Sequence, residues 1–268
     1  MELNAARFFI EKSRIGAGEI IDEITIEGDD ARHIRVVLRK AAGDHIFVCD
    51  GAGTDYVCKL TYVGQDGIRA AIVESYPSIG EPPIKVILFQ SLLKSDRFEY
   101  VLQKCTEAGI HEIVPVMSGR VQFAAGMEGD GGAKRLERWR KIIYAAAKQS
   151  GRGILPKLGG CIGFSGAVAA CAERIKASPE QRLALIPYEN EEKTSLKSKL
   201  KVFKQSLNAI NHNVELNVFI GPEGGYTPEE IRLCRQNVIA PVSLGPRIFR
   251  AETAGLAVLC QIMYEFEQ

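Results

Sequence analysis

The chain has 268 residues, 46% of them hydrophobic and 25% charged, with a formal net charge of +1 at pH 7. That length and apolar content suit one large or two ordinary globular domains with real cores. Seven cysteines, odd in number and never spaced C-x-x-C, argue for reduced core thiols over disulfides or zinc ligands, and the four histidines show no metal-ligand spacing. No run of about 18 apolar residues exists to span a bilayer, and the N-terminus lacks a signal-peptide core, so a soluble cytoplasmic protein is expected.

Residues 1–75 read as a small β domain. Arg7–Ile10 is a strand, 19–27 alternates as a second, and Asp29-Asp30 begin a short helix through Arg39, capping it with acids ahead of bases. Strands follow at 44–49, 56–63 and 68–74, turned at Asp50-Gly51 and Gln65-Asp66-Gly67. Five or so short strands suggest a barrel. Tyr76–Pro83, with its proline pair, reads as a stiff linker. Beyond it the period changes. Apolar strands at 84–89, 112–117, 183–186, 216–220 and 240–244 alternate with helices at 96–108, 133–149, 195–207, 228–236 and 251–266, and a flexible glycine-rich loop covers 126–132. That alternation predicts a mostly parallel sheet covered on both faces, within a domain spanning 84–268.

Charge is uneven. Residues 1–75 hold 9 Lys+Arg against 13 Asp+Glu, net −4, which leaves +5 for the rest. Between Lys134 and Lys157 lie eight basic residues and one acid, either a polyanion-binding surface or a solvated helix face.

Two glycine-rich loops near the C-terminus sit between a strand and a helix, where open α/β sheets bind ligands. In Gly221-Pro222-Glu223-Gly224-Gly225 the glycines permit a tight turn and bare backbone, and Thr227-Pro228-Glu229-Glu230 supplies a capping box for the next helix. In Leu244–Ala254, Gly245-Pro246 turns the chain. Leu244, Ile248 and Phe249 offer apolar walls, while Arg250 and Glu252 place fixed charges at a helix start. No P-loop, Rossmann fingerprint or nucleophile elbow is present.

These loops, together with Arg7-Phe8-Phe9, His33–Arg39, Lys94–Arg97, Thr106–Gly109, Arg138-Trp139 and Ala145–Arg152, resemble the SPOUT methyltransferases. Within them they resemble the enzymes that methylate N3 of a uridine in 16S ribosomal RNA. The resemblance runs almost the whole chain. It implies an α/β fold class: an N-terminal PUA-like β-barrel that binds RNA, then a SPOUT domain whose C-terminal segment forms a trefoil knot. S-adenosyl-L-methionine is the implied cofactor, held at Ile186, Pro187, Ile220, Gly221, Gly224, Leu244, Gly245, Ile248, Phe249, Arg250 and Thr253. The implied partners are 16S ribosomal RNA within the small ribosomal subunit and a second copy of the chain in a homodimer. Phe249, Ala251 and Lys148 depart from the usual pattern, which has leucine, threonine and frequently an acid there.

For such chemistry Arg250 is the first choice of cation beside a uracil oxygen, with Arg247 behind it, and Glu223 or Glu252 accepts the N3 proton. Arg7, Arg35, Arg39, Arg138, Lys148 and Arg152 are candidates for contacts to RNA phosphates. The alternatives are a methyltransferase acting on another RNA and a non-catalytic RNA-binding protein.

Overall fold

The computed structural model describes residues 7–10, 23–122 and 129–267, and the chain divides into two compact units. The first comprises residues up to Glu81 together with Ala147–Leu155; the second comprises Pro82–Ala146 and the rest of the chain.

The first unit holds strands β1 (Arg7–Phe9), β2 (Glu23–Ile26), β3 (His45–Cys49), β4 (Thr54–Val63) and β5 (Ile68–Pro77). They form one sheet in the order β1-β3-β4-β5-β2, antiparallel except for the β1–β3 pair. Its edges, β1 and β2, share no ladder among the described residues. Helix α1 (Gly28–Arg32) runs into a π-helical turn at His33–Val37. Asp29 and Asp30 lie in its first turn, where their charge suits the helix dipole, but the N-cap position belongs to Glu27. Phe8, Ile24, Ile34, Leu60 and Ile68 meet in the core of this unit. Of the expected strand over 19–27, residues 19–22 lie outside the described residues.

The expected linker is not free chain. Tyr76 and Pro77 end β5, the Ser78 amide donates to the Gly53 carbonyl, and the Ser78 hydroxyl donates to Asp55. Residues 147–155 return to the same unit. Ala52 and Ile154 form a β-bridge, and the Leu155 amide donates to the Gly51 carbonyl. Glu81 clasps the returning segment, accepting from Arg152 Nε and Nη2 and from the amides of Gly153 and Ile154.

The second unit is built on a wholly parallel sheet. Its strands are β6 (Lys85–Ser91), β7 (Glu112–Met117), β8 (Lys157–Leu158), β9 (Ile162–Gly163), β10 (Arg182–Pro187), β11 (Glu215–Ile220) and β12 (Ala240–Val242). The order is β12-β10-β11-β6-β7-β8, with β9 also on β7. β11 is buried along its whole length, as expected for a strand covered on both faces. One face carries Val86, Leu88, Ile113 and Leu216 against α2 (Ser95–Glu107), α3 (Gly129–Gln149), α5 (Leu196–Ser206) and α7 (Ala251–Phe266). The other carries Ile87, Phe89, Val114 and Phe219 against α4 (Phe164–Ala177) and α6 (Pro228–Gln236). This alternation along each strand is the period-2 placement of side chains on opposite faces.

Two expectations need correction here. The predicted loop over 126–132 is helical from Gly129 onward, its earlier part lying outside the described residues. Helix α4 was not foreseen at all. Among the described residues no helix is long and apolar enough to cross a membrane.

Candidate functional site

Strands β10, β11 and β12 all point the same way, so the loops that leave their C-terminal ends converge. They line a cleft of about 960 Å³, within the range of small-molecule sites. Each loop is held by its own hydrogen bonds. After β10, Glu191 accepts from the amides of Lys193 and Thr194, and the Ser243 amide donates to the Thr194 carbonyl, joining the β10 and β12 loops. After β11 the Gly225 amide closes a tight turn on the Pro222 carbonyl. Gly225 has φ of 68°, a conformation other residues adopt with strain, and a Cβ there would meet Glu189 Oε1 at 3.3 Å.

The capping box of α6 is formed as expected. The Glu230 amide donates to Thr227 Oγ1, and the Thr227 amide to Glu230 Oε2. Glu230 also accepts from the Gly119 amide at 2.8 Å, while Arg120 donates to the Gly224 carbonyl at 2.9 Å. The loop after β7 thus braces the Gly221–Gly225 turn from outside. Beneath it Tyr226 is buried and its hydroxyl bonds Ser91, which in turn pairs with Ser118. Burial pushes the Tyr226 phenol well above its ordinary value, so it stays neutral.

Most of the candidate site residues line this cleft: Pro187, Ile220, Gly221, Glu223, Gly224, Leu244, Gly245, Ile248, Phe249, Arg250 and Glu252. Ile186 and Thr253 do not. Ile186 is fully buried with its side chain in the α4–α6 face, and Thr253 lies in the first turn of α7. Arg250 is the N-cap residue of α7. Its side chain is exposed and makes no ion pair among the described residues. Glu252 and Glu223 instead turn toward Arg97, with Arg97 Nη1 2.9 Å from Glu223 Oε1 and Nε 3.8 Å from Glu252 Oε1. Arg97, in the first turn of α2, is a cleft residue the site prediction left out, although it stands in the Lys94–Arg97 stretch that carried the resemblance. Glu252 Oε2 is buried without a donor among the described residues. With Arg97, Arg247 and Arg250 against Glu189, Glu191, Glu192, Glu223 and Glu252, the cleft lining has a net charge of −2.

The six candidates for RNA contact are placed differently from one another. Arg152, a buried residue, is locked to Glu81, and Arg7 grips the buried Asp55 at 2.8 Å. Lys148 pairs with Asp30 and lies 4.3 Å above the Phe8 ring. Arg35 donates to the Gly64 carbonyl. Three of these charges are paired with carboxylates inside the first unit, and Arg35 is held there by a carbonyl; for Lys148 and Arg152 this is a use that the basic run did not reveal. Arg39 is exposed, and Arg138 is exposed while paired with Glu99 at 2.8 Å.

A parallel α/β sheet with such a cleft at its strand ends, next in the chain to a small β unit, defines a class that comparison with known proteins identifies. A family model described as an RNA methyltransferase domain matches residues 80–263, and one described as an RNA methyltransferase PUA domain matches 26–73. Ribosomal RNA small subunit methyltransferase E of Bacillus subtilis (strain 168) is 31% identical over 262 residues, covering 97% of each chain. The crystal structure of the enzyme of that name from Neisseria gonorrhoeae, bound to S-adenosyl methionine, superposes with a TM-score of 0.77 at 27% identity, covering 97% of this chain and 98% of that one. A methyltransferase from Legionella pneumophila, in complex with bound SAM, gives 0.76 at 26% identity with the same coverage. The chain belongs to the ribosomal RNA small subunit methyltransferase E family. Its fold class is the expected one: a PUA-like sheet unit followed by the α/β methyltransferase domain.

Proposed function

We propose that this chain transfers a methyl group from S-adenosyl-L-methionine to N3 of a uridine in 16S ribosomal RNA. The observation that supports the reading most is the three-loop cleft with its net charge of −2. A donor carrying a sulfonium and an ammonium against one carboxylate is a net cation, which an acid-rich cleft attracts. The cleft's residues fit such a donor in kind as well as charge. Leu244, Ile248 and Phe249 offer apolar walls, and Gly221, Gly224 and Gly245 offer bare backbone beside Pro187 and Ile220.

When bound, the donor supplies an electrophilic methyl carbon. The protein's work is then to orient the uracil, exclude water and handle one proton, and positioning of this kind contributes up to about 7–11 kcal/mol in ideal systems. Arg250 stands at the rim for a ring oxygen, and Glu223 or Glu252 receives the proton from N3. The uridine must be splayed out of its stack to enter. Arg39 and Arg138 are the phosphate contacts this reading keeps. Assembly as a homodimer, a knotted C-terminal segment, and action in the cytoplasm on the small ribosomal subunit belong to the same proposal.

The test is mass mapping of 16S RNA after incubation with the protein and labelled donor, using naked RNA and small-subunit particles in parallel. A single methyl on N3 of one uridine is expected. Methylation of a ribose or of another RNA in preference would replace the reading with its first alternative. Failure to bind the donor in calorimetry would leave an RNA-binding protein without turnover.

A further inference from the structure

Of the three arginines that line the cleft, Arg97 alone is anchored. Arg247 and Arg250 are exposed and make no ion pair among the described residues. Arg97 is held from two sides by carboxylates on two different elements: Glu223 in the turn after β11 and Glu252 in the first turn of α7. Such a guanidinium is fixed before any ligand arrives, and preorganised donors act most strongly on charge that develops in a transition state. Its Nη1 and Nε are the atoms that face the carboxylates, while Nη2 has no partner among the described residues.

The pair also has a shape. Arg97 Nη1 donates one proton to Glu223 Oε1 at 2.9 Å and keeps a second N–H, which sets a donor beside a carboxylate acceptor. The imide edge of uracil offers the complement: a carbonyl oxygen that accepts, next to N3–H that donates. Cytosine has no proton on N3, so it gives Glu223 nothing at that position.

We infer that Arg97 and Glu223 together read the imide edge of the target uracil, Arg97 donating to a ring carbonyl and Glu223 facing N3–H, while Glu252 holds the guanidinium from the far side. This rests on the methyl-transfer function proposed above and makes Arg97 a catalytic residue. The proton of N3 passes to Glu223, N3 keeping the bonding pair with which it takes the methyl carbon. The carbon–sulfur pair stays on sulfur, which becomes a neutral thioether. As N3 loses its proton, negative charge spreads to the carbonyl oxygen, and Arg97 is there to meet it. Glu252 is then a positioning residue acting through Arg97.

Three variants test this in the full-length protein: Arg97→Ala, Arg97→Lys and Glu223→Gln. Arg97→Ala should lower kcat by about 10²–10³ at saturating RNA and donor, the usual effect of removing one such hydrogen-bond donor. Donor affinity measured by calorimetry should change by less than about 3-fold, since the loss lies in the transition state. The loss should shrink on RNA carrying 5-fluorouridine, whose N3–H is the stronger acid. Arg97→Lys, which keeps the charge without the fork, should recover part of the rate. Glu223→Gln should fall by a similar factor, and combining it with Arg97→Ala should add little, because the two act as a unit. A kcat for Arg97→Ala within about 3-fold of the unaltered protein, donor affinity falling in step with kcat, or an equal loss on both RNAs would each overturn the inference. If the unaltered protein methylates no uridine in RNA, the function itself falls and this inference with it. With an active unaltered protein, only the inference is at stake.

Discussion

Replacing Arg152 with methionine tests how residues 147–155 are tied into the first unit. The pair it breaks is buried, with side-chain exposures of 4% for Arg152 and 7% for Glu81. Glu81 loses its guanidinium bonds, from Nε at 3.0 and 3.2 Å to its two oxygens and from Nη2 at 2.8 Å, and keeps the amides of Gly153 and Ile154. Removing one partner of a buried pair costs about 3–5 kcal/mol, because the other charge is left short of compensation. At 1.4 kcal/mol per tenfold, that range is about 10²–10³ or slightly more in an opening equilibrium. Hydrogen exchange read by mass spectrometry on peptides covering 150–156 should therefore speed up by two to three orders of magnitude. Peptides from β6 and β11 should keep their rates. Arg152→Met with Glu81→Leu should cost less than Arg152→Met alone, since no charge is then stranded. An Arg152→Met protein whose 150–156 peptides exchange within a few-fold of the unaltered rate would refute the reasoning, and would return Arg152 to the RNA candidates.

Glu230→Ala should destabilise the protein to urea by more than Thr227→Ala. Loss of the Thr227 cap costs about 1 kcal/mol, whereas Glu230 also holds the Gly119 amide. Equal effects would mean that the brace from Gly119 contributes nothing. Thiol titration at pH 8 should find Cys260, the exposed cysteine, reacting first, with Cys49, Cys58, Cys171 and Cys234 silent until the protein unfolds. Burial holds those four thiols up at about 12 against 9.0 unperturbed. The neutral form is the one that folding favours. Their stabilising contribution is therefore complete below pH 9 and drains away between pH 9 and 12, a decline that thermal unfolding scans across this window should show and that Cys→Ala variants should lessen.

How far these features could be read from the chain depended on how local their causes are. The helices at Pro228–Gln236 and Ala251–Phe266 lie where the sequence puts them, because Thr227, Pro228 and Glu230 mark one start and an apolar run after Arg250 marks the other. The strand at Glu112–Met117 is equally plain. Helix α4 escaped because Gly163 supplies no side-chain cap and its residues are small. Even so, Phe164, Ala167, Val168, Cys171, Ala172 and Ile175 have helical spacing and are all buried, so the 3.6-residue period was there to be found.

Long-range partnerships left no such trace. Glu81 and Arg152 stand 71 residues apart, and Arg97 and Glu223 stand 126 apart. No periodicity links them, so the basic run between Lys134 and Lys157 reads as a polyanion-binding surface or a solvated helix face, while two of its members are committed to carboxylates in the first unit. The glycine loops were legible as loops. That their two carboxylates converge on one guanidinium was not, since the third element, α2, lies far upstream.

The proposed activity requires that the loops after β10, β11 and β12 enclose the methyl donor. Hydrogen exchange of the full chain with and without saturating S-adenosyl-L-methionine measures this directly. Slowed exchange confined to residues 186–196, 220–227 and 243–256, with the first unit unchanged, is the predicted result. Protection that falls elsewhere, or none at all when calorimetry reports binding, would contradict it.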